Sequence, residues 1–97
     1  MPKRKPNAAE KRHYSRVAEY GCVVCQRPAE LHHVLRMAGK VTRRDPRYVV
    51  PLCDEHHRGR YGVHGLGSEE AFEIHHGLGA GFLRKWAAEQ WDRTSHA

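Results

Sequence analysis

Three cysteines and one histidine of the chain fall into two short spacings that are typical of metal ligands. The first half-site is Cys22-x-x-Cys25 and the second is Cys53-x-x-His56. Two ligands three residues apart on a tight turn can point at one ion, and a second pair completes the tetrahedral set that zinc prefers. The spacing therefore predicts a structural zinc site, with His57 as the alternative fourth ligand. Buried thiols without a metal are the other interpretation.

Two pairs of adjacent histidines indicate a second site. Consecutive side chains on a helix point about 100° apart, so if His56 faces the zinc, His57 faces elsewhere. His32 and His33 lie on a predicted strand, where neighbours point to opposite faces. Both can serve one site only if the strand ends or bends there. A site of His32, His33 and His57 would have two metal ligands and one imidazole left over; ordinary edge-strand histidines are the alternative.

Such a site suits phosphodiester hydrolysis, which needs a base to activate water and a cation to stabilise charge on the phosphate. An imidazole takes up a proton near neutral pH. His64 lies seven residues after His57 and is a further candidate ligand, either on a continued helix or through a chain that folds back. The remaining internal histidines, His13, His75 and His76, are expected to be surface or packing residues.

Composition bounds the fold and the partner. A chain of 97 residues with 39% apolar residues builds a small core, so a bound metal is expected to add stability. The net charge of +6 favours a polyanionic partner such as DNA. An odd number of cysteines argues against a disulfide framework, and no apolar run approaches the length of a membrane span. A cytosolic protein of a bacterium or a phage-infected host, with no membrane partner, is expected.

The predicted elements form one small α+β domain over residues 7–97, preceded by a basic flexible arm at residues 1–6. A helix capped by Asn7 and Glu10 and ended by Gly21 has Tyr14, Val17 and Ala18 as its apolar stripe. Strands are predicted at residues 30–35 and 48–50, the second ended by Pro51. A short helix from Cys53 or Asp54, a helix capped by Ser68 and a helix over residues 82–91 follow. The packing face of the last consists of Phe82, Leu83, Trp86 and Ala87.

Basic residues surround the candidate site and are the predicted DNA contacts. The segment between the two strands reads as a basic loop, and further arginines follow on the short helix. Solvated surface charge is the alternative interpretation. The residues are Arg36, Lys40, Arg43, Arg44, Arg47, Arg58 and Arg60. Nothing in the pattern resembles a base-reading array, so weak sequence specificity is expected.

Read together, the segments GCVVC, LHH and VVPLCDEHH resemble the HNH, or ββα-metal, nuclease superfamily. Within it, the chain is most similar to the small phage HNH proteins that include the recombination nuclease Ref. The resemblance covers residues 8 to about 91 loosely and 21–67 with specific motifs. It implies a zinc-stapled ββα-metal, treble-clef-like core that presents a catalytic metal to DNA.

The resemblance also assigns roles. It implies that His32 and His57 bind the catalytic divalent cation (Mg²⁺, Mn²⁺, Zn²⁺ or Ni²⁺) and that His33 is the general base. The products would carry 5′-phosphate and 3′-hydroxyl ends. Many HNH proteins have an asparagine about five residues before the third cysteine, where this chain has Tyr48. Another group must therefore orient His33, with a backbone carbonyl or Asp45 as candidates.

The expected function is a metal-dependent DNA endonuclease, and three alternatives stay open. The chain could be a zinc-stabilised DNA-binding module without catalysis, which the missing asparagine favours. It could be an adaptor whose last helix docks a protein through Phe82, Trp86 and Trp91, although packing of these aromatics is favoured. It could also act only together with a recombinase filament. The oligomeric state, the DNA structure preferred and the identity of the catalytic metal are not determined by the sequence.

Overall fold

The structure is a computed structural model that describes residues 5–95, with side chains up to Arg93. Residues 1–4 of the predicted basic arm lie outside this range. In chain order the elements are α1 (Ala8–Glu19), β1 (Glu30–His33), β2 (Arg36–Met37), β3 (Lys40–Val41), β4 (Val49–Leu52), α2 (Asp54–Arg58), α3 (Val63–Leu66), α4 (Glu69–His75) and α5 (Phe82–Ser95). This is the small α+β class that the sequence predicts. None of the helices within the described range is long and apolar enough to cross a membrane.

Helix α1 begins with the predicted capping box. The Asn7 side chain accepts a hydrogen bond from the Glu10 backbone at 2.8 Å, and the Glu10 carboxylate accepts one from the Asn7 backbone at 3.0 Å. After the helix, Gly21 has φ +75°, and a Cβ there would lie 2.7 Å from the Gln26 carbonyl oxygen. Both the helix start and the glycine after its end are thus set by local sequence.

The buried face of α1 differs from the predicted stripe. Glu10, His13 and Val17 are the buried residues, while Tyr14 and Ala18 are only partly covered. His13 packs edge-on against Trp91 of α5, with ring centroids 5.0 Å apart. The predicted stripe is confirmed for Val17 and not for Tyr14 and Ala18. Contacts with distant elements, which helical periodicity does not contain, decide which side of this helix is covered.

Strands β1 and β4 form an antiparallel pair that carries the first histidine pair. In this pair His32 lies opposite Val50 and His33 opposite Val49. The prediction that Pro51 ends the second strand was wrong, because β4 continues through Pro51 to Leu52. In the described part of the chain this sheet has two strands, and proline is tolerated on such an edge strand. The carbonyl of Pro51 accepts a hydrogen bond from the Val23 backbone at 3.1 Å.

The segment expected to be a loop contains a second antiparallel hairpin, β2–β3. Its two turn residues, Ala38 and Gly39, both have positive φ angles, 49° and 80°. Two positive φ angles in a two-residue connection are those of a type I′ turn, whose twist matches paired strands. The hairpin was missed because Ala-Gly is a weaker signal for this turn than Asn-Gly.

The core lies between the β1–β4 sheet and the C-terminal helices. Its members include Leu52, Phe72 and Leu83, each fully buried, with Cys22 and Cys53 at one end. The predicted packing face of α5 is confirmed, because Leu83 and Ala87 are buried and Phe82 and Trp86 pack against the same cluster. The carboxylate of Glu73 accepts hydrogen bonds from the backbone N–H groups of Gly81 and Leu83, at 3.2 and 2.9 Å, and so caps the start of α5.

The burial of His13 predicts a loss of stability on acidification. Burial lowers the pKa of His13 below its ordinary value, more than its hydrogen bond to the Arg47 carbonyl raises it. The unfolded chain therefore binds a proton at a higher pH than the folded one. The contribution of His13 to the free energy of unfolding is full above about pH 6.5. It is lost as the pH falls through the lower folded pKa.

Denaturant unfolding of the wild type and of His13→Gln at pH 7.5 and 5.5 measures this contribution. We expect the wild type to lose more stability than His13→Gln between these two pH values. Any stability that is lost because cysteines are protonated in acid is the same in both proteins, so it cancels in the comparison. The same loss in both proteins would rule out His13 as a source of the pH dependence.

Candidate metal centres

The three cysteines and His56 converge on one point at the end of the core. Each offers a ligand atom, and the four atoms lie within 4.8 Å of one another. The Sγ atoms of Cys25 and Cys53 are 3.6 Å apart, and His56 Nδ1 lies 3.5 Å from Cys22 Sγ and 3.2 Å from Cys53 Sγ. The structure thus places His56, and not His57, with the cysteines.

These distances fit a tetrahedral zinc site. With Zn–S bonds of about 2.3 Å and Zn–N bonds of about 2.0–2.1 Å, ligand sulfurs lie about 3.8 Å apart and a sulfur and a nitrogen about 3.6 Å apart. A disulfide would bring two sulfurs to about 2.05 Å, and all three cysteines are free thiols. The Cys22, Cys25, Cys53 and His56 group therefore has the donor set and the spacing to hold a structural metal such as zinc.

Local backbone geometry sets the two half-sites. The turn from Cys22 closes through a hydrogen bond from the Gln26 backbone to the Cys22 carbonyl at 2.8 Å, with Gln26 at φ 65°. Cys53 is the N-cap of α2, which puts His56 on the first turn of that helix. Burial would raise the pKa of Cys22, but backbone hydrogen bonds from Cys53, Cys25 and Val24 together lower it. Hydrogen bonds from both half-sites thus favour a thiolate at Cys22.

A second group consists of His32, His57 and His64, whose ligand nitrogens also lie within 4.8 Å of one another. Ring centroids are 5.3 Å apart for His32 and His57 and 4.7 Å for His57 and His64. His32 is 2% and His57 9% exposed, whereas His64 lies at the surface. Burial lowers the pKa of His57, which favours the neutral imidazole that binds metals. The three rings form a half-open site of nitrogen ligands.

Two carboxylates contact the rings of this second group, and neither is predicted from the sequence. Glu69 Oε2 lies 2.7 Å from His32 Nε2, and Glu30 Oε1 lies 2.6 Å from His57 Nδ1. One nitrogen of each ring is thereby engaged, and each ring has a second nitrogen. Metal-binding histidines commonly donate their second N–H to a carboxylate, which fixes the ring and raises its basicity. The contacts of His32 with Glu69 and of His57 with Glu30 are of this kind.

His64 joins the group because the chain folds back after α2. The helix ends at Arg58, and α3 begins after Gly62, so the continued helix is excluded and the fold-back prediction is confirmed. A Cβ on Gly65 would collide with the carbonyl oxygens of Gly59 and Arg60. Only a glycine at that position allows α3 to lie this close to the end of α2.

The carboxylate beside His32 gives a sharp test of the second group. Glu69→Gln is expected to weaken binding of Mn²⁺ or Ni²⁺ to the zinc-loaded protein by about 10- to 100-fold, since partners of metal-binding histidines carry effects of that size. Isothermal titration calorimetry measures the affinity. Glu70→Gln is the matched control, because Glu70 is the next residue of the same helix and is exposed. Equal affinities for both variants would show that Glu69 does not act on a metal site.

His33 belongs to neither group. It is the last residue of β1, and its Nε2 lies 3.0 Å from the Tyr14 hydroxyl of α1. The two rings meet edge-on at 5.9 Å. Asp45, one candidate to orient His33, forms a two-point ion pair with Arg47, at 2.7 Å between Arg47 Nη2 and Asp45 Oδ2. Tyr14, which was predicted to belong to the apolar stripe of α1, is thus a direct partner of His33.

The predicted DNA contacts are all exposed but differ in their neighbours. They are Arg36, Lys40, Arg43, Arg44, Arg47, Arg58 and Arg60. Arg47 is paired with Asp45, and Arg58 Nε lies 3.1 Å from Glu30 Oε1. Arg60 lies over the Tyr61 ring at 5.6 Å. Arg36 and Lys40 stand on the β2–β3 hairpin, and Arg43 and Arg44 follow it.

Comparison of the chain with protein-family models, with curated proteins and with solved structures finds no match. The functional assignment therefore depends on the arrangement of the residues described above.

Proposed function

We propose that the protein is a metal-dependent DNA endonuclease of the HNH type that hydrolyses phosphodiester bonds with weak sequence specificity. The observation that carries the proposal is the division of one histidine pair between two metal-type groups. His56 lies with the cysteines, and His57 lies with His32 and His64. A binding module needs only the first group, whereas a hydrolase also needs the second.

In this proposal the second group holds a divalent cation through His32, His57 and His64. When bound, the cation supplies a Lewis acid that polarises a phosphate oxygen. Glu69 and Glu30 fix the orientation of the His32 and His57 rings through the hydrogen bonds described above. The exposure of His64 leaves the group open on one side for a phosphate to approach.

His33 is the proposed general base, and Tyr14 the residue that positions it. A neutral imidazole carries its proton on one nitrogen and its lone pair on the other. If Nε2–H donates to the Tyr14 oxygen, Nδ1 carries the lone pair that a general base uses. Tyr14 would then supply the orientation that an asparagine supplies in many HNH proteins. Arginines around the site would contact the flanking phosphates.

A zinc-stabilised DNA-binding module without catalysis is the second candidate. The same contact between Tyr14 and His33 favours it, because a tyrosine hydroxyl that donates to Nε2 would occupy the lone pair that a base needs. The two candidates predict the same zinc content and the same DNA affinity. They differ in whether DNA is cut.

The chemistry of the cut ends tests the proposal. Supercoiled plasmid is incubated with zinc-loaded protein and Mg²⁺, Mn²⁺ or Ni²⁺, and the nicked product is then treated with DNA ligase. We expect nicking only with an added cation, and nicks that ligase seals, because the proposed hydrolysis leaves 5′-phosphate and 3′-hydroxyl ends. Binding to the plasmid without nicking in any cation would favour the DNA-binding module. Nicks that ligase cannot seal would contradict the proposed reaction.

A further inference from the structure

An open groove of about 430 Å³ lies beside the second metal-type group. Three arginines from different segments line it, namely Arg36 of β2, Arg43 after β3 and Arg84 of α5. Glu69 also lines this groove, and its carboxylate bonds His32. The groove therefore adjoins the candidate catalytic group through a single shared side chain.

The three groove arginines have no carboxylate partner in the part of the chain that the structure describes. By contrast, Arg47 pairs with Asp45, Arg58 with Glu30 and Arg27 with Glu55. A guanidinium without an internal partner keeps its fork of N–H donors for an external anion, and this fork matches a phosphate. The three groove arginines are thus open for a ligand, and all three line the same groove.

Arg84 is not among the DNA contacts predicted from the sequence. It follows Leu83, which is fully buried in the core, and a rotation of about 100° per residue turns Arg84 out of the core. Helix α5 therefore has a second role besides packing. Its first turn brings a guanidinium to the groove that the β2–β3 hairpin borders on the other side.

We infer that this groove binds the sugar-phosphate backbone of one DNA strand and that Arg84 contacts a phosphate there. The inference rests on the proposed function, which makes DNA the substrate. A space of this volume accepts a group of the size of a drug-like ligand, such as a nucleotide unit, and not a whole duplex. Three guanidinium groups outweigh the two carboxylates on the groove, those of Glu69 and Glu70.

The test measures DNA affinity by fluorescence anisotropy with a labelled duplex of about 20 base pairs, long enough to span such a module. The protein is zinc-loaded, and no second divalent cation is added, so the DNA stays uncut. Arg84→Gln is expected to weaken binding about tenfold, the usual loss for one charge-assisted hydrogen bond. The slope of log K against log salt should fall by about 0.9 for each phosphate contact removed. Arg36→Gln and Arg43→Gln should act alike.

Arg93→Gln is the matched control, because Arg93 is an exposed arginine of the same helix that does not line the groove. Zinc content and melting curves confirm that every variant is folded. A slope for Arg84→Gln equal to that of Arg93→Gln would overturn the inference, as would a wild type that does not bind DNA at low salt. Because binding is measured without cleavage, a protein that binds through the groove and never nicks DNA would refute only the proposed catalysis.

Discussion

Replacing Cys25 with serine is expected to leave most of the protein unfolded at 25 °C. Structural zinc sites contribute about 10–16 kcal/mol of apparent binding free energy, whereas the net stability of a small domain is only about 5–15 kcal/mol. The core of this chain ends at Cys22 and Cys53, so the loss of a ligand also loosens the packing beside it. Circular dichroism with denaturant titration measures the free energy of unfolding, and metal analysis measures the zinc content.

A chelator separates loss of zinc from other effects of the substitution. In excess chelator the wild type should be unfolded to the same extent as Cys25→Ser, and added zinc should refold only the wild type. His75→Ala serves as the control, because His75 is exposed and stacks on Tyr61 at 4.9 Å. It should keep its zinc and nearly all of its stability. A wild type whose unfolding curve does not respond to the chelator would contradict a structural zinc.

Substitution of the two neighbouring histidines of α2 is expected to give opposite results. His56→Ala should lower the zinc content and the stability, because His56 Nδ1 lies among the thiols. His57→Ala should keep the zinc but lose the second cation, and DNA nicking should fall by more than about 100-fold. Residues that only orient a metal ligand already change affinity or activity by about 10- to 100-fold. The loss of a proposed ligand itself should therefore be larger.

Native mass spectrometry of the two variants, with Mn²⁺ or Ni²⁺ added, counts the ions in each. The expected pattern is zinc without the second ion for His57→Ala. Loss of zinc from both variants would mean that the two groups do not act as separate sites. Retention of the second ion by His57→Ala would remove His57 from the proposed catalytic group.

Local sequence was sufficient for the zinc-type group and for the start of α1. The ligands Cys22 and Cys25 share one tight turn, and the capping box of Asn7 and Glu10 spans four residues, so short spacings determine both. The strand pair that carries His32 and the packing face of α5 could also be predicted, because alternation and helical periodicity extend over whole elements.

The partners of His32, His57 and His33 could not be predicted from the sequence, because each partner is far away along the chain. Glu69 is 37 residues from His32, Glu30 is 27 residues from His57, and Tyr14 is 19 residues from His33. Each pair meets only after separate elements have packed. Glu69 directly follows the predicted cap Ser68, and its contact with His32 depends on where α4 lies relative to β1.

The rate of plasmid nicking by His33→Ala beside the wild type, measured separately in Mn²⁺, Mg²⁺ and Ni²⁺, tests the proposed catalysis. We expect a loss of about 10²- to 10⁴-fold, the contribution of a general base, with zinc content and affinity for the second cation unchanged. Tyr14→Phe, which removes only the hydroxyl next to His33 Nε2, should give a smaller loss. Equal nicking by His33→Ala and wild type, or a wild type inactive in all three cations, would contradict the account.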